Sequence, residues 1–181
     1  MNDTQREALI LDFVRRLKVG GSWCGETHIQ KSTYFLQEFM NVPLGLNYIF
    51  YKHGPFSFDL NDQLTALRGN GLVEQRSHPP YGPHLHASST AQPYLDNFPK
   101  TIGSFESAMD FVVRKLASKN VAELERLSTA LYIRLEKPTA DDRALAEEMH
   151  QLKPHVSISE ALEALHEVEE FDAERIAIMS E

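Results

Sequence analysis

Three histidines, His78, His84 and His86, form the chain's one candidate metal constellation. His84 and His86 alternate on a predicted strand and so share a face. Imidazole is a good zinc ligand, and three of them would leave an open coordination position for hydrolysis. A loop separates His78 from the other two, so a solvated surface is the simpler account and no metal is expected. Cys24 with His28 one helical turn later has the spacing of a nucleophile and base. No third group orients that base, and a Cys beside Trp23 reads as a small buried apolar residue. His53, in His53-Gly54-Pro55, is expected to hydrogen-bond the backbone around a tight turn. There is no phosphate-cradling glycine loop, nucleophile elbow or metal-spaced carboxylate pair. A non-enzymatic protein without a cofactor is expected, and a hydrolase built on the three histidines is the weakest alternative.

Two other residue sets suggest binding. Tyr48, Phe50, Tyr51, Phe56 and Phe58 place five aromatic rings within eleven residues. Those left exposed would anchor a protein interface, with His53 and Arg68 as polar neighbours. Lys52, Asn61, Arg68 and Arg76 are the types that contact phosphates and base edges. Asp59 and Asp62, at the start of the helix that would enter a groove, oppose that use because they would meet phosphates at close range.

The element that must position both sets is Tyr48 to Glu74. Tyr48 to Lys52 is an aromatic, β-branched run suited to a strand, and His53-Gly54-Pro55 is turn chemistry. Leu60, Leu64 and Leu67 make one stripe of a short helix, and Gly69-Asn70-Gly71 ends it. Leu72–Arg76 and His84–Ser88 follow as strands around a loop with three prolines and a glycine in seven residues. Strand, turn, short helix and hairpin is the order in which a winged-helix unit ends.

Around this lie helices. Thr4 with Glu7 reads as a capping box for a helix carrying Leu9, Ile10, Phe13, Val14 and Leu17. Thr27 is expected to cap a second helix over about 28–40, aromatic enough to pack on more than one side. From residue 101 the pattern is helical throughout. Ser104, Asn120 with Glu123, Asp141 or Asp142, and Ser157 with Glu160 mark four starts, and Lys137-Pro138 and Lys153-Pro154 mark two stops. The tail from Phe171 is expected to fray. The expected fold is α+β and mostly helical: a winged-helix-like core over 1–100 with a C-terminal layer of helices over 101–181, together one compact domain.

Composition narrows the function further. The chain has 181 residues, 42% hydrophobic and 24% charged, with one cysteine, so it has no intramolecular disulfide or cysteine-rich zinc site. Residues 1–100 carry 9 basic and 9 acidic side chains and residues 101–181 carry 9 and 17, so the whole net charge of −8 lies in the second part. Neither part is the basic surface that phosphate neutralisation needs. The acidic run Glu160–Glu170 reads as a solvated helix face, or as a docking surface for a basic partner. No apolar run approaches the roughly 18 residues of a membrane helix, and the start lacks a signal-peptide pattern; a cytoplasmic protein with no membrane partner is expected.

Three stretches carry a resemblance to a family. These are H-I-Q-K-S-T-Y-F-L-Q from His28, Y-K-H-G-P-F-S-F-D-L from Tyr51, and K-P-H-V-S-I-S-E-A from Lys153. Together they resemble the Panacea domain of SocA-type antitoxins and the related YwgA-like bacterial proteins, in patches over about residues 5–170. The resemblance implies a winged-helix-like α+β core with added helices, and a role in toxin neutralisation or phage defence through protein contacts. The proline- and histidine-rich wing departs from that pattern. A protein partner, a toxin or a defence-system component, is therefore the first expectation, and a winged-helix DNA-binding regulator is the alternative.

Overall fold

The computed structural model describes residues 1–179. Its order is α1 (Asp3–Val19), α2 (Glu26–Tyr34) running into a π-helical turn (Phe35–Phe39), β1 (Ile49–Tyr51), β2 (Gly54–Phe56), α3 (Phe58–Gly69), β3 (Val73–His78), β4 (Tyr81–Ala87), α4 (Ala91–Leu95), α5 (Pro99–Leu116), α6 (Val121–Glu136), α7 (Asp142–Leu152) and α8 (Ile158–Met179). The chain is 64% helical, with two antiparallel sheets of two strands each. It is a mostly helical α+β fold.

The centre of the molecule is α2. Every residue from His28 to Tyr34 is buried, because α5, α6 and β2 all pack on it. A helix enclosed on all sides must bury its polar residues as well, and Gln30, Lys31, Ser32 and Thr33 are each at most 2% exposed. One apolar cluster runs from Ala8 on α1 to Phe171 on α8. Helix α3 leads directly into the β3–β4 wing, as its Leu60, Leu64 and Leu67 stripe requires: all three are buried.

Several local expectations shift. The first N-cap is Asn2, whose side chain accepts from the Gln5 amide while Gln5 reaches back, so the capping box lies two residues before Thr4. Gly25, not Thr27, caps α2, without a side-chain bond. Helix α5 begins at Pro99, whose missing N–H costs nothing in a first turn; Ser104 lies inside it, bonded to the Lys100 carbonyl. His53-Gly54-Pro55 is more than a turn, since Gly54 and Pro55 already belong to β2. The expected frayed tail is instead helical to Met179, with Phe171 buried 6.5 Å from the Phe35 ring; Ser180 and Glu181 lie outside the described residues. Asn120, Asp141 and Ser157 cap their helices as read.

The two parts of the chain are also joined by charge. Asp12, fully buried on α1, accepts from Arg15 (Nε, 2.9 Å) and Arg16 (Nε, 2.7 Å). Arg16 then reaches Asp110 at 2.6 Å and Glu106 at 2.9 Å on α5. A carboxylate with no water access gains most from such charge-assisted bonds. Asp12→Ala should lower unfolding free energy by about 2 kcal/mol in a denaturant titration; a loss below about 0.5 kcal/mol would mean that Arg16 is held by α5 alone.

Candidate functional site at the β1–β2 turn

Two strands of three residues cannot hold a hairpin by their own ladder. The register Ile49↔Phe56, Phe50↔Pro55, Tyr51↔Gly54 leaves Lys52 and His53 as the turn, and Pro55 contributes no N–H. Tertiary contacts supply what the ladder lacks. Gln30 on α2 accepts from the Ser57 amide and donates to the Ser57 carbonyl, both at 2.9 Å. Ser57 in turn caps α3 through the Leu60 amide. Lys31 Nζ donates to the Pro55 carbonyl at 2.7 Å. From the other side Lys153 Nζ donates to the Lys52 carbonyl and, at 2.6 Å, to Glu125 Oε1 on α6.

The three stretches that carried the family resemblance therefore meet at one turn. Lys31 comes from the first, Gly54 to Ser57 from the second and Lys153 from the third. Gly54 is required where they meet. Its φ is +88°, and a Cβ there would lie 3.0 Å from Thr129 Oγ1 and 3.8 Å from Lys31 Nζ.

The electrostatics of the two lysines differ. Lys153 is buried but has a carboxylate. Burial alone would raise the Glu125 carboxyl, and the hydrogen bond and charge of Lys153, with His53 and His155 beyond it, outweigh that and hold it below its ordinary value. His53 Nδ1 lies 3.8 Å and His155 Nε2 3.9 Å from Glu125. His53 thus faces α6 rather than bonding the turn backbone as expected. Lys31 has no carboxylate within 4.0 Å among the described residues. Burial pushes its ammonium down to about 8, Glu125 opposes that shift and Lys153 adds to it.

The aromatic set divides. Tyr48 is half-buried against Tyr34 (4.9 Å between centroids), its hydroxyl enclosed without a hydrogen-bond partner. Phe50 packs on Tyr132 at 5.1 Å, with the Lys153 ammonium over its ring. Tyr51, Phe56 and Phe58 form a separate cluster with centroids 5.1–6.0 Å apart. In that cluster Tyr51 is 45% and Phe58 54% exposed, and Ile49 beside it is 46% exposed. Arg68 is ten residues further along α3, roughly 15 Å by the helical rise, so it does not join them.

The nucleic-acid set is dispersed as well. Asn61 and Arg68 line a shallow cleft against the wing, Lys52 sits on the β1–β2 turn, and Arg76 is paired with Glu74 at 3.1 Å. Asp59 is occupied by the Asn47 amide and side chain at 2.9 and 2.7 Å. The wing histidines pack as rings: Trp23 lies 5.6 Å from His78, 5.5 Å from Tyr81 and 4.5 Å from His84. Among the described residues no three His, Cys, Asp or Glu side chains converge as a metal site. Cys24 is fully buried, its thiol pushed up by that burial and directed to the Val14 carbonyl, and burial pushes His28 down. No described helix is long and apolar enough to cross a membrane.

The sequence places none of Lys31, Glu125 and Lys153 in a site, Lys153 reading there only as part of a helix stop and, with Lys31, of the resemblance stretches. The available signal was a charge set close between core-stripe positions: Lys31 between Ile29 and Thr33, Glu125 between Leu124 and Leu127. A comparison with protein-family models and with curated proteins finds no match to this chain.

Gly54→Ala should destabilise the fold by about 1–3 kcal/mol, measured by thermal or denaturant unfolding; an unchanged midpoint would mean the turn can flip away from Thr129. The Lys31 sign is the reverse of a structural ion pair. Its folded value of about 8 lies below the ordinary 10.5, so its charge costs stability below pH 8 and that cost is relieved as pH rises toward 10.5. Wild type should therefore gain stability relative to Lys31→Met across that window, and a constant difference would show that Lys31 is not desolvated.

Proposed function

We propose that this chain is a non-enzymatic protein-interaction module of the antitoxin or bacterial-defence-accessory kind, acting in the cytoplasm by docking on a toxin or defence-system protein. The observation that carries this reading is the Tyr51–Phe56–Phe58 cluster at the junction of the β1–β2 hairpin and the start of α3, with Tyr51 and Phe58 exposed and the hairpin held from both sides by buried side chains. Clustered aromatic rings on a rigid support are what interface anchors require: large contact area with little ordering cost on binding. The convergence of the three resemblance stretches on that hairpin supports the same reading. The charge distribution agrees with it, since the excess acid of the second part disfavours phosphate as the target.

The acidic helix α8 contributes less than its composition suggests. Glu160, Glu167 and Glu174 are paired with Arg126, Lys119 and Lys115, which uses part of its charge within the fold. The DNA-reading alternative has its four residues spread over the turn, α3 and the wing, with Arg76 already paired.

The test is co-expression with the protein encoded beside this chain. A stoichiometric complex is expected, and Tyr51→Ser with Phe58→Ser should weaken it about a hundredfold while leaving the melting temperature of the free chain nearly unchanged. Failure to form a complex, or wild-type affinity in the double variant, would overturn the reading.

A further inference from the structure

Between the start of α2 and the β1–β2 turn lies a cleft of about 190 Å³, lined by Glu26, Thr27, Lys31, Tyr51, Lys52 and Phe56 among others. An ammonium has three N–H donors, and that of Lys31, 2% exposed, makes one hydrogen bond, to the Pro55 carbonyl. Of the two carboxylates whose charge acts on Lys31, Glu125 and Glu26, Glu125 is committed to Lys153 at 2.6 Å. Glu26 is exposed at the rim and forms no ion pair with Lys31. A buried cation without a carboxylate is costly to maintain for one hydrogen bond. As a counter-ion for something that enters the cleft, it is well placed.

We propose that this cleft receives one carboxylate, an Asp or Glu side chain of the partner protein, with Lys31 as its counter-ion and an adjoining apolar residue resting on Tyr51 and Phe56. This rests on the partner-docking reading above and adds the chemistry that the partner must present. The size of the cleft suits a small planar group beside an apolar one. Its single buried ammonium, with Lys52 at the mouth and no guanidinium fork, matches a monoanion better than a phosphate, which draws on several donors at once. Glu26 at the rim acts against any anion, so its neutralisation should help binding.

The test uses the full chain, with lysine ε-carbons labelled for NMR, and needs no partner. The probes are the blocked dipeptide acetyl-Phe-Asp-amide, its neutral twin acetyl-Phe-Asn-amide, and inorganic phosphate. The Asp peptide is expected to raise the titration midpoint of Lys31 and to shift Tyr51 and Phe56, while the Asn twin binds at least about tenfold more weakly. Lys31→Met, whose own folding is checked by its melting curve, should remove the preference for Asp over Asn, and Glu26→Gln should strengthen binding. Equal binding of the two peptides, an unmoved Lys31 at millimolar Asp peptide, or a response to phosphate alone would each overturn the carboxylate assignment. Those outcomes leave the docking reading standing, because that reading is tested by the complex and the Tyr51/Phe58 variant.

Discussion

Lys153 is the contact on which the rest of the arrangement depends. One buried ammonium joins Glu125 on α6, the Lys52 carbonyl in the β1–β2 turn and the α7–α8 connection from which it comes. The hairpin has three residues a side and a proline where a ladder donor would stand, so it has no stability of its own to lose. Its position is a property of α2, α6 and the α7–α8 corner, and the exposed aromatic cluster inherits its rigidity from them. The cost of burying Lys153 is offset by a carboxylate and a carbonyl together, the condition under which a buried ion pair is tolerated.

Lys31 and Lys153 approach the same turn with opposite energetic characters. Lys153 is satisfied within the fold. Lys31 is buried, has one acceptor and lines an open cleft, and its lowered affinity for a proton records the mismatch. A group whose ionisation is disturbed by burial and which also lines a cleft is a candidate for function. The pair thus separates what holds the surface from what the surface offers a partner.

The parts of this fold legible in the sequence were the local ones. Asn120 with Glu123, Asp141, and the Leu60–Leu64–Leu67 stripe each depend on residues within two turns of one another, and each is where it was read. The Thr4 reading failed because N-D-T-Q-R-E contains two overlapping capping signatures, and Asn2 with Gln5 satisfies one as well as Thr4 with Glu7 would. Strand β2 was hidden because Gly54 and Pro55 have turn chemistry; they pair with β1 where α2 and α6 pack on them. The candidate site was legible in its aromatic residues and not in its lysines. Lys31, Glu125 and Lys153 are separated by 28 to 122 positions in the chain, and only the packing of α2, α6 and the α7–α8 connection reveals that they share one turn. His53 was misassigned for the same reason, since its neighbour Glu125 is remote in sequence.

The claim that tertiary charge contacts, not strand pairing, hold this hairpin is tested most directly by native-state amide exchange in wild type and Lys153→Met. The account predicts that exchange across residues 49–56 accelerates by at least about tenfold in the variant, with the amides of α1 and α5 unchanged. Wild-type exchange rates in the hairpin of Lys153→Met, or an equal acceleration throughout the molecule, would contradict it.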